Sequence, residues 1–567
     1  MALPILSGIT LSKRGAECKV FQTHWSDGQQ MLAGISSHWY SSRMILIIRS
    51  LVLCCCSLFA LAAENESFDV VVYGGTAGGA LAAVAAASEG VSVVLLEPGG
   101  HLGGMLTGGL GRTDMDRQQH VIGGLALQFF RETGKHYGQD LAWTFEPKVA
   151  EKILNSWVED AGVEVRFHHR LAAVEKSANQ IRRIQMVNGT AFEARVFIDS
   201  SYEGDLMART GVSYTVGRES RKKYGESLAG IKEIQPGNHQ LLVPVSPYDD
   251  AGQLLPYLVD ERKVDAIGEG DDKVQAYCFR LCLSKVEENQ VPFPKPADYN
   301  PKQFELLRRY LVACEQRFGR AFNPLGISEV PHGKTDVNSG GPISTNLLGA
   351  SWEYPEAGYT RRQEIWNEHM SWTQGLLYFL ANDTGVPEYL RQEMKGWGLA
   401  KDEFRDTDHW PHQLYVREAR RMCGEHIMTQ HDLEERREKF DSIGMGGYNM
   451  DVREVQWVAK MVYRFPVPKK EVLMEGYITV NVDPYQIPYR ALLPLEHECS
   501  NLLVTSCVSA SHMAYSSIRM EPQYMIMGQS AGVAAAMAVE KGLPVHKVGL
   551  VQLQRRLQGL GQILSLE

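Results

Sequence analysis

The stretch FDVVVYGGTAGGALAAVAAASEGVSVVLLEPGGHLGGMLTGGLG, residues 68–111, decides the fold. Val70–Tyr73 is a short apolar, β-branched run, the pattern of a parallel strand covered on both faces. Gly74, Gly75, Gly78 and Gly79 follow, and the small residues of 80–87 predict a helix that packs close to a sheet. Val91–Leu96 repeats the buried-strand pattern, and Glu97 closes it. A strand, a glycine turn, a helix, a strand and a terminal acid form the layout of a dinucleotide-binding βαβ unit. There the helix N-terminus meets a pyrophosphate and the acid meets a ribose hydroxyl. Thr76 stands where the second glycine of G-x-G-x-x-G belongs. The fingerprint alone therefore also admits any α/β domain with a glycine-rich first turn.

The rest of the chain is that of an ordinary globular protein of 567 residues, 44% hydrophobic, long enough for a large core. A formal charge of −9 argues against non-specific nucleic-acid binding. From Met44 the chain reads MILIIRSLVLCCCSLFALAA, which predicts a signal peptide over 44–63 with cleavage near Ala63. Its apolar run is short for a stable membrane span, the alternative being an uncleaved anchor. Residues 1–43 lack periodicity and are read as an extension ahead of a start at Met44. Export to the periplasm or exterior follows as the expectation. Six cysteines lie beyond Ala63: Cys278, Cys282, Cys314, Cys423, Cys499 and Cys507. An exported chain permits disulfides among them, with no pairing specified.

Helices are predicted over 124–135 and 147–160, the latter with Pro147 in its first turn. Strands are predicted over 163–167, 172–175, 181–187, 190–194 and 196–199, with Asn188-Gly189 as a hairpin turn. From about 211 to 494 the texture becomes irregular, and Trp352, Trp366, Trp372, Trp397, Trp410 and Trp457 accumulate. Residues 501–507 return as a buried strand, and 528–539 (GQSAGVAAAMAV) repeat the small-residue helix texture of 80–87. The fold class expected is α/β: a discontinuous Rossmann-like domain formed by 64–210 and 495–545. A mixed α+β substrate or cap region, 211–494, is inserted, and 546–567 form a helical tail.

Five segments together resemble the FAD-dependent oxidoreductase family of glutathione-reductase-like fold. They are VVVYGGTAGG (70–79), LLEPGGHLGGMLTGGLGRTD (95–114), FIDSSYEGDLMARTGVSYTVGRE (197–219), VQAYCFRLCLS (274–284) and NLLVTSCVSASHMAYSSIRMEPQYMIMGQSAG (501–532). In that family Thr76 is the usual residue of a G-G-T opening. The resemblance implies FAD as cofactor, with Gly74, Gly75, Thr76, Ala77, Gly78 and Gly79 at the pyrophosphate. Glu97 and Pro98 would meet the adenosine ribose, and His101, Gly103, Gly104 and Met105 would pass under the flavin chain. Asp199 would sit at the carboxyl edge of the sheet. Gly528, Ser530, Ala531 and Gly532 would aim a helix end at the flavin. The plainer alternatives are that Asp199 caps a turn and that GQSAG serves close helix packing.

Catalytic candidates fall between the return strand and the last helix. His512 would exchange a proton while a hydride passes between a substrate carbon and flavin N5, and Arg519 would orient an oxygen-rich substrate. Tyr515 completes the set. The alternative is that Arg519 only pairs with Glu521. No cysteine lies between Cys56 and Cys278, which argues against dithiol exchange beside the flavin. No metal-ligand spacing, nucleophile elbow or second dinucleotide fingerprint is present. The electron partner is left open among substrate, quinone, carrier protein and oxygen. The tryptophans could stack on sugar rings, so the small-molecule substrate includes carbohydrate-derived compounds. Two other readings stand beside oxidoreduction: a polysaccharide lyase or hydrolase on a vestigial nucleotide fold, and a non-catalytic FAD-containing envelope protein.

Overall fold

Strand β1 (Asn65–Tyr73) is the spine of a mainly parallel sheet, its inner half buried on both faces. The computed structural model describes residues 65–566 except 116, 117, 236, 238, 436, 464 and 465. The expected signal peptide, extension and start at Met44 lie outside the described residues, so export rests on sequence. No helix among the described residues is long and apolar enough to cross a membrane.

From β1 the chain forms α1 (Ala77–Ser88), β2 (Val93–Leu96), α2 (Gly124–His136), α3 (Pro147–Asp160) and β3 (Glu164–Arg166). Then come β4 (Leu171–Ser177), β5 (Gln180–Met186) and β6 (Ala191–Asp199). The parallel ladder runs β3-β2-β1-β6, with Val70 beside Val93 on one side and Val196 on the other. The outer half of β6 carries the antiparallel β4–β5 hairpin, Arg183 opposite Glu193. Its inner half pairs in parallel with β7 (Leu502–Val504), Phe197 beside Leu502. The two strands predicted over 190–199 are thus one continuous β6. Gly189, at φ 91°, makes the turn that Asn188-Gly189 predicts.

After β7 come α4 (His512–Ile518), α5 (Glu521–Lys541) and α6 (Leu550–Gly559). Val70 and Val72 face a core shared with α1 and α5, while Val71 and Tyr73 face a second cluster with Ile184 and Phe197. That two-sided burial is why β1 shows no polar alternation.

Between β6 and β7 lie a five-stranded antiparallel sheet and a three-stranded sheet. The long helix over 359–382 belongs to the same stretch. The described residues cluster as one compact unit. Within 274–284 the strand is Leu283–Ser284, and Tyr277, Cys278 and Leu281 make isolated bridges. All six described cysteines are thiols, so the disulfides that export would permit are not formed.

Candidate functional site

Gly74 leaves β1 at φ 98°, a value that L side chains rarely adopt. A Cβ at Gly79 would lie 1.9 Å from the Gly74 carbonyl oxygen, so the turn closes only with glycine there. Thr76 has a clear local purpose as the N-cap of α1. Its hydroxyl accepts from the Gly79 N–H at 3.1 Å and donates to the Ser200 carbonyl at 2.9 Å. The first-turn N–H groups of Ala77 and Gly78 have no intrahelical acceptor, which is the donor set a pyrophosphate requires.

Glu97 ends β2 and faces this turn. Its carboxylate accepts from Gly75 N–H at 2.6 Å and Gly99 N–H at 2.5 Å. Burial pushes its pKa up to about 7 against those two hydrogen bonds. A cleft lined by Gly74, Thr76, Glu97, Pro98, His101 and Gly104 runs along this edge. Its other wall includes Tyr202, Glu203, Tyr359, Arg362 and Trp366. A glycine turn, a bare helix start and a buried carboxylate on one cleft fit an FAD molecule.

Several expected cofactor residues are placed elsewhere. Asp199 is buried and fully engaged: Oδ1 accepts from Ser201 N–H and hydroxyl, and Oδ2 from Met207 N–H. It caps the turn after β6, the plainer of its two readings. Gly528–Gly532 also follow the plainer reading, because α5 begins seven residues earlier, at Glu521. A Cβ on Gly528 would lie 2.0 Å from the Gly78 oxygen, and one on Gly532 2.2 Å from the Ala82 oxygen. These positions let α1 and α5 touch backbone to backbone, with Ala531 buried in that packing. Ser530 donates to the Ile443 and Ile526 carbonyls. Gly103 N–H donates to the Gly75 carbonyl, and Met105 N–H to the Tyr202 hydroxyl.

His101 stacks on His412 with centroids 4.0 Å apart. The hydrogen bond to Glu151 raises the His101 pKa, whereas burial drives His412 down to about 3.

The three catalytic candidates are buried and do not line the cleft. Tyr515 is committed to structure: its hydroxyl donates to the Ser506 carbonyl and lies 2.8 Å from the Tyr524 hydroxyl. His512 begins α4, and its Nδ1 lies 2.9 and 3.0 Å from the two Glu418 oxygens. Burial alone would raise the Glu418 pKa, but His512 and Arg421 bring it down to about 2. The carboxylate thus stays ionised, holding the imidazole with Nδ1–H as donor. His512 Nε2 makes no hydrogen bond within the protein.

Arg519 does not pair with Glu521. It donates to the Asp451 carbonyl at 2.9 Å, and its Nε is buried without a partner. Glu521 instead accepts from the Tyr202 hydroxyl at 2.6 Å, and burial pushes its pKa up to about 8. Glu418 was not singled out in the sequence; the charged residues inside LYVREARRM (414–422) were the signal available.

Among the described residues, one carboxylate group is close enough to hold a metal: Glu146, Asp402 and Glu403. The Lys334 ammonium already lies at its centre, 2.5–2.7 Å from each of the three. Trp372, Trp410 and Trp457 are core residues, and of the six tryptophans Trp366 lines the cleft. Half of the proposed sugar-stacking faces are therefore packed away.

No curated protein matches the chain. Solved structures align over short portions only. A flavoprotein/dehydrogenase from Cytophaga hutchinsonii is 18% identical over 28% of this chain and 49% of its own, with a TM-score of 0.21. The myxobacterial chondrochloren halogenase CndH is 21% identical over 27% and 41%, TM-score 0.19. The thioredoxin reductase of T. acidophilum is 18% identical over 24% and 35%, TM-score 0.16. The chain thus spans less than half the length of each of these solved relatives. The family profile described as FAD dependent oxidoreductase matches residues 69–557. With that match over most of its length, the chain belongs to the FAD-dependent oxidoreductase family, and FAD is its cofactor.

Proposed function

We propose that the protein is an exported enzyme that oxidises or reduces a small oxygen-bearing organic molecule. When bound, FAD supplies hydride exchange at ring N5. The turn 74–79 with the start of α1 would hold the pyrophosphate, and Glu97 with Pro98 the ribose. His101, Gly103, Gly104 and Met105 would lie under the cofactor chain. Residues 211–494 would act as a cap, since Tyr359, Arg362 and Trp366 of that stretch reach the cleft wall.

One observation carries the reading of the catalytic end. His512 Nε2, Arg519 Nε and Glu521 Oε2 are buried within ten residues of chain, and none makes a hydrogen bond within the protein. Unsatisfied buried polar atoms are rare and costly, and a polar substrate would satisfy these three. With Nδ1–H turned to Glu418, His512 Nε2 presents a lone pair that would accept the substrate proton. The Arg519 guanidinium would hold a substrate oxygen, positioned by Asp451.

The test is anaerobic titration of the purified flavoprotein with panels of sugars, hydroxy acids and amines, followed near 450 nm, roughly where oxidised flavin absorbs. At least one compound should bleach that band. His512→Asn should keep FAD and bleach about 10²-fold more slowly. A protein that releases no FAD on denaturation would refute the cofactor assignment, and an unchanged rate in His512→Asn would remove its role.

A further inference from the structure

Away from the cleft, a second cavity of about 400 Å³ opens within the stretch between β6 and β7. Leu307, Tyr310 and Leu311 form one wall, from the helix Glu305–Phe318. Pro342 and Ile343 form another, beyond the strand Lys334–Ser339. Leu307, Leu311 and Ile343 are buried, so the interior is apolar and shaped by packed side chains.

The mouth is apolar too. Leu242 and Phe322 line the cavity and are both exposed, and exposed Phe318 lies against Phe322 with centroids 6.2 Å apart. Scattered exposed apolar residues need no explanation, but a group at the entrance of an apolar cavity marks a ligand site. Among the described residues, no Asp, Glu, Lys or Arg lines the cavity, so a charged ligand would lose hydration without a counter-charge.

The polar end is His239, whose backbone sits at φ 57°, a region unfavourable for a non-glycine residue. Its ring is fixed from three sides. It stacks on Tyr477 at 4.4 Å, its Nδ1 lies 2.6 Å from Glu454, and its Nε2 accepts from Arg453 at 3.3 Å. Both ring nitrogens are thus engaged within the protein, so His239 shapes this edge of the cavity and offers a ligand no hydrogen bond.

We propose that this cavity binds a neutral, mainly apolar small molecule, such as an alkylphenol, with its apolar end among Leu307, Leu311 and Ile343. The site is separate from the cofactor cleft and does not depend on how that cleft works.

The test is calorimetric titration of the FAD-loaded protein with 4-butylphenol. Saturable one-site binding with a Kd below about 1 mM is expected. Gly341 lines the cavity, and a Cβ there meets no atom within 4 Å, so Gly341→Leu should fill the space without strain. Leu242→Glu changes only the exposed mouth. Each should weaken binding at least about tenfold while flavin absorbance stays unchanged. 4-Butylbenzoate, the same body with a charged end, should bind at least about tenfold more weakly. Absence of saturable heat, wild-type affinity in both variants, or equal affinity for the benzoate would overturn the proposal.

Discussion

The Tyr202 hydroxyl donates to Glu521 Oε1 at 2.6 Å while accepting from the Met105 N–H at 2.9 Å. One phenol thus ties together the segment after β6, the glycine-rich segment after β2 and the first turn of α5. Tyr202 also lines the cleft, so this tie brings the α5 N-terminus to the cleft's edge. Through it, the cofactor-facing surface is coupled to a buried carboxyl group that is mostly protonated at neutral pH.

Glu521 should therefore make stability depend on pH. Its carboxyl pKa is about 8 in the folded protein against an ordinary 4.5, so between those values the folded state binds more protons than the unfolded one. Stability from this group is greatest below pH 4.5 and falls as pH rises toward 8. Glu521→Gln should remove that fall, so the melting temperature of the variant relative to wild type should increase steadily from pH 5 to 9.

Glu97 predicts the pH dependence of cofactor binding. Its carboxyl is held near a pKa of 7, and a ribose hydroxyl donates best to the ionised form. FAD affinity of the apoprotein should rise as pH passes from about 6 to about 8. Glu97→Gln should flatten that profile and weaken binding about tenfold, measured by flavin fluorescence quenching.

Glu418 positions His512, so Glu418→Gln should leave FAD bound while substrate-driven bleaching slows about tenfold or more. Glu418→Asp, which keeps an anion on the Nδ1 side, should recover part of that rate, whereas equal rates in the two variants would leave Glu418 no positioning role.

The α1–α5 contact should tolerate no added side chain. Gly528→Ala puts a methyl 2.0 Å from a backbone oxygen that cannot turn aside. A loss of about 1–3 kcal/mol is expected from chemical denaturation. Gly90→Ala serves as a contrast of another kind: its Cβ meets no atom, but φ is 88°, so its smaller cost comes from backbone strain alone.

Much of the cofactor half was legible in local sequence because its signals are local. Two-sided burial made β1 and β2 continuous apolar runs, Pro147 marked the first turn of α3, and Asn188-Gly189 fixed the hairpin before β6. Thr76 was read as a departure from the glycine fingerprint, and its role as the cap of α1 came only with the structure. The stretch from 211 to 494 was not legible. Its strands are as short as Leu283–Ser284, whose partners are Lys334 and Gly398–Leu399, and no local period announces such pairings.

By itself, then, the sequence determined a mainly parallel α/β core with a glycine-rich first turn, along with the family to which its motifs point. Tertiary structure decided what each motif residue does. Small residues at 528–532 reveal that something must come close, but only the fold shows that α1 is what approaches. An aspartate at a strand end suits a ligand or a turn equally, and only the neighbouring N–H groups assign Asp199 to the turn. His512 acquires its carboxylate partner from 94 residues away. Propensity and periodicity act over a few residues, whereas hydrogen-bond partners and burial are set by chain segments that meet only after folding.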